Sequence, residues 1–269
     1  MELHILEIIK AIILGIVEGF TEFLPISSTG HLILVNQFLY FDNNFTVLFD
    51  IVIQLGAIIA VLFYFIKKLW PFTKDKIKNK EILNIWYKTI IGVLPALFFG
   101  VLFASFIKEK LFNPWVVATS LLVGGLVIVF IENRKKTDKI ISIGDLSFKT
   151  AFLIGLIQCF SMIPGVSRSA STIIGGMVLG TSRVVATEFS FFLAIPTMFA
   201  ASAYSLLEYE GVLNYNELFI LMIGFAVSFV VALSVIKFLI NFVQKNNFKI
   251  FGYYRIILGI IIFIYFLLR

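Results

Sequence analysis

Cysteine is almost absent from this chain: Cys159 stands alone among 269 residues. A single thiol excludes an intramolecular disulfide and any cysteine-based zinc site. Charge is scarce too, at 14% of residues against roughly 25% in soluble domains. No GxxxxGK(S/T) loop and no HExxH helix occurs, which leaves an ATPase or a zinc peptidase unsupported. The first nine residues carry Glu2 and Glu7 but no basic residue, so no cleavable signal peptide is expected and the N-terminus is expected to be retained. His4, without polar neighbours, is expected to be an interfacial side chain.

What is present is apolar. Hydrophobic residues make up 60% of the chain, with 31 Phe and 9 Tyr, and the mean hydropathy is +1.01. That excludes an ordinary soluble domain and predicts an all-α, polytopic integral membrane protein. The net charge of +6 does not indicate nucleic acid, because the basic residues fall in short runs between apolar stretches. That is the pattern that orients membrane helices.

A spanning helix needs about 20 apolar residues. Six stretches qualify: about 45–67, 88–107, 114–132, 184–208, 215–240 and 250–268. Two more are interrupted. Residues 3–24 run into Pro25 and Ser27-Ser28-Thr29-Gly30-His31, then resume as Leu32 to Phe41. Residues 148–163 run into Pro164-Gly165 and Ser167-Arg168-Ser169-Ala170-Ser171-Thr172, then resume as Ile173 to Gly180. Polar backbone at depth needs protein or water around it, so both are expected to be re-entrant helical hairpins. Basic clusters at Lys67 to Lys80, at Arg134, Lys135, Lys136 and Lys139, and at Lys245, Lys249 and Arg255 would be cytoplasmic. Asp42-Asn43-Asn44 and Glu208-Tyr209-Glu210 would face the other side, although Lys108 and Lys110 weaken the connection between them.

The two interruptions repeat each other. Gly15-Ile-Val-Glu18-Gly-Phe-Thr-Glu22 aligns with Gly155-Leu-Ile-Gln158-Cys-Phe-Ser-Met162 at an offset of 140 residues, and a proline and a serine cluster follow in both. Three spans lie between, so the copies would be inverted: residues 1–132 as one repeat and 148–269 as the other, within one membrane domain of residues 1–269. Such repeats place a binding site near the midplane, where their broken helices meet. Gly15 and Gly19, like Gly176 and Gly180, are small-xxx-small pairs suited to helix packing.

Glu18 and Glu22 would share a helix face, and paired carboxylates inside a membrane segment point to function. Ser27, Ser28 and Thr29 exceed what one helix cap needs. His31 lies three residues after Ser28 and four after Ser27, so either hydroxyl could meet the imidazole as an activated nucleophile. Arg168, among Ser167, Ser169, Ser171 and Thr172 at a helix start, suits a phosphate. The glutamates would repel that phosphate unless a proton or a divalent cation, Mg²⁺ or Ca²⁺, intervened. The expected ligand is a phosphate or diphosphate on an apolar body.

At these two motifs the chain resembles the undecaprenyl-diphosphate phosphatase family, of the bacitracin-resistance type. The resemblance rests on Glu18-Gly-Phe-Thr-Glu22-Phe-Leu-Pro25-Ile-Ser27-Ser28-Thr29-Gly30-His31 and on Pro164-Gly165-Val166-Ser167-Arg168-Ser169-Ala170-Ser171-Thr172, with Ala170 where glycine is common. It implies hydrolysis of undecaprenyl diphosphate to undecaprenyl phosphate and inorganic phosphate, which regenerates the lipid carrier of envelope polymers and removes the form that bacitracin sequesters. Carried over, Glu18 and Glu22 would bind metal or orient water and the base. Ser28 would be the nucleophile, with Ser27 as the alternative, and His31 a general base or acid. Arg168 with Ser167, Ser169 and Thr172, and Ser27 with Thr29, would hold phosphate. The implied setting is the bacterial inner membrane with the site opening outward. Partners would be a polyprenyl diphosphate and membrane lipids, with a homo-oligomer left open. A transporter or flippase of a lipid-linked phosphate is the competing reading, because inverted repeats with broken helices are also transporter architecture.

Overall fold

The computed structural model describes residues 5–41, 43–134, 138–207, 209, 211 and 213–268. Eleven α-helices occur among them: α1 (Ile5–Thr21), α2 (Ser28–Val35), α3 (Asn43–Tyr64), α4 (Ile66–Leu69), α5 (Lys76–Phe106), α6 (Pro114–Asn133), α7 (Phe148–Gln158), α8 (Arg168–Val178), α9 (Arg183–Leu207), α10 (Tyr215–Val243) and α11 (Lys249–Leu267). The one β pairing among the described residues is an isolated bridge between Ile140 and Thr181. Expectations for His4, Asp42, Lys135, Lys136, Glu208 and Glu210 lie outside the described residues.

Six helices (α3, α5, α6, α9, α10 and α11) are long and apolar enough to cross a bilayer. The protein is an all-α, multi-pass membrane protein. Its outward faces carry side chains that water would not tolerate together, such as Phe98, Val101, Phe130 and Met222, all more than half exposed.

The six expected stretches correspond to these six helices, with one large difference in extent. Helix α5 begins twelve residues before its expected start and absorbs Lys76, Lys78 and Lys80. Asp75 explains the early start: its Oδ1 accepts hydrogen bonds from the amides of Ile77 (2.9 Å) and Lys78 (3.2 Å), as an N-cap does. Further along α5, Lys88 is buried and donates from Nζ to the Gly144 carbonyl at 2.8 Å. The two interrupted segments fold as helix, turn and short helix: α1 (17 residues) into α2 (8 residues), and α7 (11 residues) into α8 (11 residues).

Packing crosses between the two halves of the sequence. Helix α1 lies against α10, and α7 lies against α5. Glycine makes these approaches close. A Cβ at Gly15 would sit 2.8 Å from the Gly224 carbonyl oxygen, and one at Gly19 would sit 2.5 Å from that of Ser228. At Gly155 it would fall on the carbonyl of Gly92. Gly15 and Gly19 thus serve packing as expected. Gly180 does not: its φ of +94° closes the turn after α8, and of the two only Gly176 packs against another helix, at Ala186 of α9. Gly155→Leu is expected to lower the melting temperature in detergent by about 5–10 °C, since overpacking costs about 1–3 kcal/mol. An unchanged midpoint would mean that α5 and α7 do not touch there.

The main apolar core gathers Phe65, Phe191, Phe192, Ile236 and Leu239 around the turn residues Phe23, Leu24 and Ile26. Phe23 meets Phe191 edge to face at 5.3 Å. The α1–α2 turn is therefore anchored by its apolar side chains, which leaves its polar groups free for other work.

Candidate active site

Both turns end the same way. Ser27 caps α2 with φ 72°, and its Oγ accepts from the Gly30 amide at 3.3 Å. Ser167 caps α8 with φ 75°, and its Oγ accepts from the Ala170 amide at 3.2 Å. Among the described residues these are the only non-glycine residues with positive φ, and they stand at the 140-residue offset of the repeat. Backbone held in that region stores on the order of 1–3 kcal/mol and persists where the surroundings enforce it.

The turns meet each other. Ser169 donates from Oγ to the Leu24 carbonyl at 2.8 Å, and the hydroxyls of Ser167 and Ser169 lie 3.0 Å apart. Glu22 joins the two motifs. Its Oε2 accepts the Ser28 hydroxyl at 2.6 Å, and its Oε1 accepts Arg168 Nη2 at 3.0 Å. Arg168 also donates from Nη1 to the Ser190 carbonyl at 3.0 Å and lies over the Phe23 ring at 5.7 Å. Its Nε has no hydrogen-bond partner among the described residues. Thr172 donates to Ser190 Oγ at 2.6 Å, with the Arg168 carbonyl 2.9 Å from the same hydroxyl.

Glu18, one turn before Glu22, is 1% exposed, and its Oε1 has no partner among the described residues. A buried carboxyl oxygen left unmatched is costly. Ser28, Thr29 and His31 are partly exposed, whereas Ser27 is buried. An apolar cavity of about 310 Å³ lies beside the second turn, lined by Phe99, Phe103, Leu156, Phe160, Met162 and Ile163, among others.

The imidazole of His31 is bonded differently from the expected pairing. Its Nδ1 lies 2.7 Å from the Ser27 carbonyl and its Nε2 2.7 Å from the Tyr254 hydroxyl, while Ser28 gives its proton to Glu22. The four-residue spacing does bring His31 over Ser27, but it presents the carbonyl, because the Ser27 hydroxyl is occupied in capping. A carbonyl only accepts, so Nδ1 carries the proton and Nε2 accepts from Tyr254.

Three participants escaped the sequence reading: Ser190, Tyr254 and Arg255. Arg255 is not in a cytoplasmic cluster with Lys245 and Lys249; it is 0% exposed, within α11. Its Nη1 donates to the Pro25 carbonyl at 3.4 Å, and its Nη2 donates to those of Gly165 (3.0 Å) and Ser120 (3.1 Å). The available signal was its position inside an otherwise apolar helix.

A family model described as "Bacitracin resistance protein BacA" matches residues 11–261. The chain is 51% identical over 270 residues to undecaprenyl-diphosphatase 1 of Clostridioides difficile (strain 630), covering 98% of each chain. It is 48% identical over 270 residues to the undecaprenyl-diphosphatase of Lachnoclostridium phytofermentans, again covering 98% of each. With that of Enterococcus faecalis it shares 46% over 270 residues, covering 97% of this chain and 98% of the relative. With its glutamate and serine–arginine motifs brought against one another and near-complete coverage by these relatives, the chain belongs to the BacA bacitracin-resistance family.

Proposed function

We infer that this protein hydrolyses undecaprenyl diphosphate to undecaprenyl phosphate and inorganic phosphate, recycling the lipid carrier for cell-wall synthesis and conferring bacitracin resistance. The observation that carries the chemistry is the Ser28–Glu22–Arg168 contact: one carboxylate holds a serine hydroxyl at 2.6 Å and a guanidinium at 3.0 Å. That juxtaposes a candidate nucleophile, a proton acceptor and an anion-binding group.

In the proposed reaction Arg168 on one turn and Thr29 on the other hold the diphosphate, while Ser27, Ser167, Ser169 and Thr172, whose hydroxyls are engaged within the protein, fix the backbone that presents them. The helix starts of α2 and α8 add their free amides. Ser28 Oγ attacks the terminal phosphorus and its proton passes to Glu22. The anhydride P–O bond breaks, undecaprenyl phosphate leaves, and water then cleaves the phosphoserine to release inorganic phosphate. His31 Nε2, released from Tyr254, is the base for that water. The unshared Nε of Arg168 gives the guanidinium a donor for substrate while Glu22 is still engaged.

The residues fit a divalent cation in part. Glu18 offers an unmatched oxygen, both oxygens of Glu22 are already bonded to Ser28 and Arg168, and among the described residues no three His, Cys, Asp or Glu converge on a metal. Mg²⁺ or Ca²⁺ would thus be held by these two carboxylates and completed by phosphate oxygens and water. When bound, it would neutralise the charge between carboxylates and diphosphate.

The apolar cavity is lined by Met162 and Ile163, the residues just before Pro164 in the chain, and its apolar lining suits part of the prenyl chain. The matched serine caps and the crossed packing support the reading of residues 1–132 and 148–269 as inverted repeats with re-entrant hairpins. On the charge pattern, the setting is the bacterial inner membrane with the site opening outward. Every group invoked comes from one chain, so a homo-oligomer would be an assembly of complete sites.

The test is phosphate release from C55 diphosphate by purified protein in detergent, with Mg²⁺, with Ca²⁺ and with chelator. Release is expected, and it should fall with chelator. No release under any condition, with lipid binding intact, would leave a transporter or flippase as the better reading.

A further inference from the structure

Arg255 is the largest fully buried side chain among the described residues. Among the described residues no carboxylate lies within ion-pairing distance of it, and its Nε has no partner. An uncompensated cation at that depth is costly. What it does have is three backbone carbonyls, and two of them stand in equivalent places. Pro25 and Gly165 are 140 residues apart and each lies two residues before the positive-φ serine of its turn. The third carbonyl, Ser120, belongs to α6, where a Cβ at Gly165 would come within 3.1 Å of the Ser120 side chain. One planar fork therefore ties both turns to a common wall.

We propose that Arg255 is a positioning residue that clamps the two site-bearing turns in register, so that Ser28 on one faces the phosphate held by Arg168 on the other. The mechanistic half of this rests on the function proposed above; the clamp itself rests on geometry alone. The fork is needed because the nitrogens of a guanidinium are fixed in one plane and reach several acceptors at once. An ammonium keeps the charge and reaches fewer. Gly124 of α6 supplies the room: a Cβ there would lie 2.9 Å from the guanidinium carbon. Tyr254, the preceding residue on α11, holds His31, so a single turn of α11 sets both the turns and the imidazole.

The test uses Arg255→Lys, Arg255→Gln and Gly124→Ala in the full-length protein. Gly124→Ala improves helix propensity and keeps the arginine while displacing its fork. Hydrogen exchange read by mass spectrometry should rise in residues 22–31 and 162–170 together, in all three variants. Because each turn keeps its own phosphate ligands, KM should move little while kcat falls; misplacement of about 1 Å lowers rate on the order of 10²-fold. Faster exchange in one segment only, or in neither, would overturn the clamp. So would a folded variant with kcat within about twofold of the unsubstituted protein. Failure of all three to fold would overturn it as well, by making Arg255 a general prop. Exchange does not require turnover, so an unsubstituted protein without phosphatase activity would count against the proposed function and leave the clamp to be judged on exchange.

Discussion

Arg168→Ala is expected to reduce kcat/KM on C55 diphosphate by about 10³-fold, the scale on which a preorganised charged donor contributes to a transition state. Among the described residues the guanidinium is the one cation bonded to Glu22, and its Ser190 contact fixes the plane in which it meets phosphate. Removing it has a second effect. Glu22, at 7% exposure, would be left without its counter-ion, and breaking a buried pair from one side costs about 3–5 kcal/mol. The two effects separate in the double variant Arg168→Ala with Glu22→Gln, in which stability should recover and activity should not. Thermal unfolding and steady-state rates on the same preparations decide it. A loss of activity under about tenfold would make the arginine a structural partner of Glu22 and nothing more.

Ser28→Ala is expected to lower kcat by on the order of 10³-fold or more while leaving KM nearly unchanged, as for loss of a nucleophile whose partners remain. The 2.6 Å bond to Glu22 places a proton acceptor on the hydroxyl. Ser27→Ala is the control on the same turn. It removes a cap, at about 1 kcal/mol, but the Ser27 hydroxyl is buried and turned to the Gly30 amide. Its kinetic effect should be much the smaller. If Ser28→Ala retains near-normal kcat, water attacks phosphorus directly and Glu22 is its base. That result would leave the phosphatase reading intact and remove the phosphoserine.

Much of this architecture could be read from the chain alone, for a reason that differs by element. Spans announce themselves because lipid tolerates few charges over about 20 residues. Glu18, Glu22 and Arg168 stood out because ionisable groups at depth are costly and therefore few. The early start of α5 was hidden, since a run of lysines reads as a loop until a cap such as Asp75 is recognised. The positive φ of Ser27 and Ser167 was also hidden, because glycine is the usual signal for that conformation and neither position carries it. The partners of His31 depended on α11, which approaches from more than 220 residues away in sequence. Arg255 was misplaced for a related reason: the carbonyls it serves lie 90, 135 and 230 residues away and are brought to it by folding, so no local pattern marks them.

The crossed packing of the helices sets an order on biogenesis. Helix α1, which carries Glu18, lies on α10, and 194 residues of chain separate Thr21 from Tyr215. At about 5–20 residues per second, that is roughly 10–40 s during which the glycine seam at Gly15 and Gly19 has emerged without the surface it was shaped for. The second hairpin has no such wait, because α5 precedes it. The half of the site that bears Ser28 is therefore synthesised first and completed last, and a chain stalled before residue 215 holds two glutamates in the bilayer with the seam beside them uncovered.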